Sequence, residues 1–244
     1  MRVMTLNMRY GSGSDKIGDP GYDLPTSPRK LQAIAEAIRS VDPDIVALQE
    51  VRNQLQAENL ARLTGLNCVY ASHPLGYRLF FFEWGLAFLY RLELAETAGR
   101  SMLIDRRTGV GRTGLLCRIS SSGAMITFIN VHFDHDKKKS QMENLLRIIE
   151  ELPPPVCLLG DFNCAPDDPH LTPLASRVAD TCLLADTESS REALTTGTLV
   201  GKGGRKDYIW VPPRCFSVRE AGLVAEPHRR VSDHIGYWAD ISLQ

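Results

Sequence analysis

Apolar, strand-like runs in this chain repeatedly stop on an acid, an amide or an imidazole. Val3-Met4-Thr5-Leu6 ends on Asn7, and Ile45-Val46-Ala47-Leu48 ends on Gln49 and Glu50. The run through Asn130 and Val131 ends on His132 and Asp134, and Val156 to Leu159 ends on Gly160-Asp161-Phe162-Asn163. Towards the C-terminus the polar residues lead instead: Asp207 opens Tyr208-Ile209-Trp210, and Ser232-Asp233-His234 opens the last apolar run. One such end is weak evidence, because Asp and Asn after a strand are ordinary turn formers. Their number in one chain is what carries weight.

Helical signals alternate with these runs. Ser27-Pro28 reads as an N-cap with proline in the first turn, followed by Leu31, Ile34, Ala35 and Ile38 at helical spacing. A second helix is expected over residues 53–64, and short strands near 67–70 and 84–90. Strands over 115–119 and 124–131 read as a pair turned by Ser120-Ser121-Ser122-Gly123. Met142, Leu145, Leu146 and Ile149 mark a third helix face, stopped by Pro153-Pro154-Pro155 before the strand from Val156. Strands over 207–211 and 234–243 close the chain. With 244 residues and 43% hydrophobic content, one domain over 1–244 is expected.

The formal charge is -1, so no global positive field draws the chain to polyanions. Lys137-Lys138-Lys139, Lys202, Arg205, Lys206, Arg229 and Arg230 flank the motifs. Each alone reads as a surface residue; together they would concentrate positive charge beside a site. Cys68, Cys117, Cys157, Cys164, Cys182 and Cys215 are scattered without C-x-x-C or zinc-type spacing, so buried reduced thiols are expected. Met1 leads straight into the first strand, and no apolar run approaches membrane-spanning length. A cytoplasmic monomer without a transmembrane segment is expected.

On an extended backbone, side chains two apart share a face. Asp161 and Asn163 would then present a carboxylate and an amide together, as would Asn130 and His132. Asp233 and His234, adjacent, would point to opposite sides and perform separate tasks. The histidine would need another acid to orient it, and Asp207 is the economical candidate. Glu50 reads either as a solvated strand end or as a carboxylate for a hard cation.

In this order the motifs resemble the endonuclease/exonuclease/phosphatase superfamily, which includes deoxyribonuclease I and abasic-site endonucleases. Thr5-Leu6-Asn7, Leu48-Gln49-Glu50-Val51, Gly85 to Tyr90, Asn130 to His135, Gly160-Asp161-Phe162-Asn163, Asp207-Tyr208-Ile209 and Ser232-Asp233-His234 carry the resemblance from end to end. Its bacterial metal-dependent hydrolase branch is similar in N-x-R-Y-G and in a glutamine soon after the glutamate, here Gln54.

The resemblance implies an α/β fold, a four-layered α/β/β/α sandwich of two mixed β-sheets flanked by helices. It also implies hydrolysis of a phosphate ester, of nucleic acid (DNA or RNA), a lipid headgroup or a small molecule, by in-line water attack with Mg²⁺ or Mn²⁺. By motif, Glu50 would be the principal metal ligand, with Asn7 and Asp233 completing the metal's surroundings. Asp161 would orient or deprotonate the water, Asn163 would hold a phosphate oxygen, and His132 would contact the phosphate or leaving group. His234, held by Asp207, would be base or charged stabiliser. Family frequency puts nuclease ahead of phosphatase.

Segment 72–113 is where relatives place specificity loops, and within it Leu79 to Trp84 carries no motif assignable to a substrate. Leu79 to Trp84 is read as core, and Glu83 as a weak candidate to orient His132. Competing readings are an inactive binding module on the same fold and a dinuclear calcineurin-like phosphatase, the latter disfavoured by the scarcity of well-placed histidines.

Overall fold

The computed structural model describes residues 1–14, 27–73, 84–91, 94–96, 102–103, 112–121 and 123–244. Among these, strands β1 (Arg2–Asn7), β2 (Ile45–Val51), β3 (Asn67–Ser72) and β4 (Gly85–Tyr90) are interleaved with helices α1 (Pro28–Val41) and α2 (Gln54–Thr64). Strands β5 (Leu94–Glu96), β6 (Met102–Leu103), β7 (Thr113–Ser121) and β8 (Ala124–His132) follow, then α3 (Lys138–Glu151) and β9 (Val156–Asp161). The rest is α4 (Thr172–Ala175), β10 (Ala179–Asp180), α5 (Thr181–Ala185), α6 (Glu188–Thr196), β11 (Asp207–Val211), β12 (Phe216–Leu223) and β13 (Tyr237–Leu243).

Two mixed sheets result. One runs β12-β13-β1-β2-β4-β3, with β1 and β2 parallel; the other runs β10-β11-β9-β8-β7, with β8 and β9 parallel and with β5 and β6 both pairing β7. The near-continuous apolar runs seen in sequence are the central strands: β2 and β9 are buried almost throughout because each has sheet on one face and helix on the other. A large core fills the space between the sheets and under α1 and α2, and a smaller one lies beneath α3 on the outer face of the second sheet. The layer order is therefore helix, sheet, sheet, helix.

The helices start and stop where local chemistry directs. Asn53 caps α2 by accepting from the Gln56 N–H, and Gly65 ends it in left-handed geometry. Pro28 occupies the first turn of α1, but Ser27 makes no side-chain capping bond. One polar bridge pins the sheets face to face. Asn130 on β8, fully buried, donates to the carbonyls of Leu48 and Ala87 on the opposite sheet, and Gln49 Nε2 donates to its Oδ1 at 2.8 Å. Each buried polar atom of this bridge is thereby bonded, which fixes the register between layers.

The last strand begins at Tyr237, not at His234; residues 231–233 form bends, and His234 makes only an isolated bridge to Leu199. All six cysteines are free thiols, and Cys68 and Cys215 are half-buried rather than buried. Of the proposed Ser120–Gly123 turn, residue 122 lies outside the described residues, as do Glu83 and the stretch 79–83. Among the described residues no helix is long and apolar enough to cross a membrane.

Candidate active site

Strand register places the polar strand ends side by side. His132 on β8 pairs with Asp161 on β9, and Asp161 pairs in turn with Asp207 on β11. Because β11 runs antiparallel to β9, its first residue meets the last of β9, which is why Asp207 precedes its apolar run in sequence while Asp161 follows its own. Gly160 makes the close approach work: its φ is +144°, and a Cβ there would sit 2.0 Å from the Val131 carbonyl oxygen. Phe133, Phe162, Tyr208 and Trp210 pack as a rigid aromatic layer behind this row.

From the other sheet come Asn7 and Glu50. Gln49 and Glu50 are adjacent, so regular alternation would send them to opposite faces. They instead reach the same side: Gln49 bonds Thr5 and Asn130, and Asn7 Nδ2 donates to Glu50 Oε1 at 3.2 Å. A register shift between Leu48 and Val51, with Glu50 in left-handed geometry at φ 53°, accounts for this. It is a β-bulge that re-aims a carboxylate. The same Asn7 Nδ2 also donates to Asp161 Oδ2 at 3.1 Å, joining the two sheets at the site.

Of the described non-glycine residues with positive φ, Asp42 and Asp186 end helices, whereas Arg9, Tyr10, Glu50 and Asn163 all lie here. Such conformations cost on the order of 1–3 kcal/mol each and gather where geometry is over-determined by function.

Charge is arranged around His234. Its Nδ1 lies 2.7 Å from Asp207 Oδ2 and its Nε2 3.8 Å from Asp161 Oδ2, all three residues buried. Burial works against the imidazolium, but Asp207 and Asp161 outweigh it and raise the histidine to about 10. Asp161 is raised too: burial foremost, then Asp207, lift it to about 7 against the opposing pull of His234 and the N–H of Asn163. Glu50 is raised by burial first, with Asp233 adding to it and the Asn7 bond opposing. Asp233, partly exposed, faces Arg9 Nε at 3.5 Å.

His132 is held differently. Arg112 Nη1 lies 3.2 Å from its Nδ1, Trp84 packs edge-on at 5.7 Å, and its Nε2 is 3.5 Å from Asp161 Oδ2. Burial, then the Arg112 charge, push this imidazole well below its usual range, so it is neutral. The Tyr10 ring lies 5.8 Å from that of Trp84, and its hydroxyl is raised first by burial and then by Glu50. The Tyr10 carbonyl is braced by Gln56 Nε2 at 2.7 Å. The glutamine that braces this turn is Gln56; Gln54, the one in the family pattern, is exposed and bonds Glu58 within α2.

Asp161 and Asn163 do not share an extended backbone. β9 ends at Asp161, and Asn163, at φ 52°, donates its N–H to Asp161 Oδ1 at 2.8 Å in a turn. Its side-chain Nδ2 donates to the Phe133 carbonyl at 2.8 Å, so part of its amide is committed to holding the neighbouring loop.

The flanking cations are also partly committed. Arg205 is buried, not a surface residue, and pairs with Asp180 between Tyr208 and Tyr237; Lys138 pairs with Asp168, and Arg229 with Glu192. Sequence offered no signal for Arg112, which lies outside every motif, nor for Trp84 as a wall of the site.

Among the described residues, Asp161, Asp207 and His234 bring one ligand atom each within 4.8 Å, a set able to hold a metal ion. Asp207 Oδ1 is buried without a hydrogen-bond partner, which fits a cation or a donor arriving with it. Glu50 with Asn7 and nearby Asp233 forms a second oxygen-rich group. There burial and the neighbouring Asp233 charge raise Glu50, a charge pattern that a hard divalent ion relieves.

Comparison with known proteins follows the geometry. The model of the Endonuclease/Exonuclease/phosphatase family matches residues 4–234. A functionally unknown conserved protein of Enterococcus faecalis V583 superposes with TM-score 0.80 at 21% identity, covering 100% of both chains. A mannosyl-6-phosphatase of Bacteroides thetaiotaomicron VPI-5482 superposes with TM-score 0.74 at 18% identity, covering 99% of each chain. A DNA ligase of Chlamydia caviae is 32% identical over 122 residues, which are 46% of this chain and only 17% of that protein.

Proposed function

The chain belongs to the Endonuclease/Exonuclease/phosphatase family, and from that premise we propose that it is a Mg²⁺- or Mn²⁺-dependent phosphoesterase attacking its substrate in line with water. The observation that carries this reading is the buried Asp207–His234–Asp161 line, with His234 raised to about 10 and Asp161 to about 7. A fixed imidazolium beside a carboxyl poised near neutrality is what hydrolysis at phosphorus requires: one stabilises charge on the phosphate oxygens, the other accepts the water proton.

On this reading Asp161 aims the water and takes its proton. His234 stays protonated at neutral pH and stabilises the pentacovalent state, with Asp207 keeping its Nδ1 bonded. Asn7 positions both Asp161 and Glu50. His132 donates from Nε2 to the phosphate or leaving group, and the second side-chain N–H of Asn163, the one not given to the Phe133 carbonyl, is left for a phosphate oxygen.

A divalent ion, when bound, would supply Lewis-acid stabilisation of the phosphate oxygens. Glu50 would be its principal ligand with Asn7 and Asp233 beside it. Asp161, Asp207 and His234 are the less favoured holders, because a histidine protonated up to about 10 has no lone pair on Nε2 to offer.

The nuclease reading, first by family frequency, rests on local basic residues. Their ion pairs with Asp168, Asp180 and Glu192 weaken that support and favour a small phosphate ester as the second reading. The mannosyl-6-phosphatase likeness is in keeping with it. The test is turnover of single-stranded DNA, duplex DNA, RNA, sphingomyelin and a phosphate-monoester panel with Mg²⁺ or Mn²⁺, repeated across salt. Polynucleotide cleavage should fall steeply with salt, whereas turnover of a small ester should barely move.

A further inference from the structure

We infer that Arg112 is a positioning residue that fixes His132 in a single neutral tautomer, so that His132 serves as a hydrogen-bond donor and not as a proton-transferring acid. The guanidinium has only donors, and its Nη1 lies 3.2 Å from His132 Nδ1. Nδ1 must therefore accept, which leaves the single imidazole proton on Nε2. That nitrogen is the one turned towards the site, 3.5 Å from Asp161 Oδ2.

The arrangement is built rather than incidental. Arg112 is 8% exposed and His132 3%, so neither bond partner is exchanging freely with water. The guanidinium carbon stacks 4.2 Å over the Trp84 ring, whose edge in turn packs against His132, so one aromatic plane sets the angle of both. Asp134 Oδ2 stands 4.0 Å from Arg112 Nε on the outer side. Among the described residues, the other charged or titratable groups facing His132 are Asp161 on β9, His234 and His73, and His73 is itself engaged as an acceptor from the Thr113 N–H at 2.9 Å.

The chemical consequence is definite. A neutral imidazole protonated at Nε2 can share that proton with a phosphate or leaving-group oxygen. Transferring it outright would leave an imidazolate next to the Asp161 carboxylate. Protonation of a leaving group must then come from a group other than His132. Arg112 thus divides the work of two histidines on facing sides of Asp161: the Asp207 carboxylate makes one a cation, and the Arg112 guanidinium makes the other a neutral donor.

This rests on the phosphoesterase reading for its purpose, but not for its test. Uniformly ¹⁵N-histidine-labelled protein is examined by long-range ¹H–¹⁵N correlation at pH 7, with His132 assigned by His132→Asn. The wild type is expected to show His132 as the Nε2–H tautomer, and Arg112→Met to lose that single state while remaining folded. Arg112→Lys, which keeps a cationic donor, is expected to retain it.

A wild-type His132 protonated on Nδ1 or on both nitrogens overturns the inference, as does an unchanged His132 spectrum in Arg112→Met. Should Met unfold the chain, the wild-type spectrum decides alone. On a turned-over ester, Arg112→Met is expected to lower kcat roughly 10²-fold with little change in KM, through misplacement of the donor. If the spectrum shifts but no ester is hydrolysed by wild type, the positioning stands and the phosphoesterase reading fails. If Glu50→Ala abolishes turnover while the spectrum of Arg112→Met is unchanged, the reverse holds.

Discussion

Asp207 Oδ2 and His234 Nδ1 lie 2.7 Å apart, buried between the two sheets, on segments separated by 27 positions of sequence. This bond sets the protonation state on which the proposed chemistry turns. Removing the carboxylate charge removes the largest interaction that raises His234 against its burial. Asp207→Asn is accordingly expected to lower kcat by about 10²–10⁴-fold. Steady-state kinetics beside a thermal unfolding curve would check it, and near-native kcat would contradict the assignment.

The pH profile follows from the directions of two shifts. Asp161 accepts a proton only when ionised, so the rate should rise as pH passes about 7; His234 stabilises only when protonated, so it should fall as pH passes about 10. The two groups interact, so the limbs belong to the pair. Asp161→Gln should lose the acidic limb with most of the activity. A wild-type profile that falls between pH 6 and 8 would argue against this division of roles.

Metal binding separates the two oxygen-rich groups. If Glu50 is the principal ligand, Glu50→Gln should weaken Mn²⁺ binding by at least tenfold in calorimetric titration, while Asp207→Asn should leave it within about threefold. The opposite ranking would move the ion to Asp161, Asp207 and His234.

Arg205 and Asp180 form a buried pair, with Arg205 Nη2 donating to Asp180 Oδ1 at 2.7 Å. Asp180→Ala leaves a guanidinium without its counter-charge, and about 3–5 kcal/mol of folding stability should be lost. Urea unfolding measures this; a loss under 1 kcal/mol would mean the cation finds water or another partner.

Much of this was legible as strand ends. The residues closing or opening apolar runs meet at one end of the sandwich, and Asp233, facing Arg9, does have a different neighbour from His234, facing Asp207, although residues 231–233 form bends and not the extended strand that alternation assumes. What escaped the sequence is local backbone geometry that alternation does not describe. The bulge that turns Glu50 to the side of Gln49 and the left-handed turn at Asn163 both break the period of two.

Long-range pairing escaped as well. Arg205 looked like a surface cation because nothing near it in sequence announces Asp180, and Arg112 lies in a stretch whose meaning comes only from His132 and Trp84. Strand β12 and helices α5 and α6 were not anticipated. β12 is an edge strand with Arg219 and Glu220 at a register shift, and the helices are nine residues or fewer, so neither shows a sustained hydrophobic period.

The central claim is that this site hydrolyses phosphate esters through Asp161 and a metal held by Glu50. Its most direct test is the initial rate with Mn²⁺ on a chromogenic phosphodiester and a chromogenic phosphomonoester, for wild type, Asp161→Asn and Glu50→Ala. The account expects wild-type turnover of at least one ester, loss with chelator, and a fall of 10²-fold or more in both variants. Wild-type inactivity across both esters and the substrate panel, or either variant within about threefold of wild type, would contradict it.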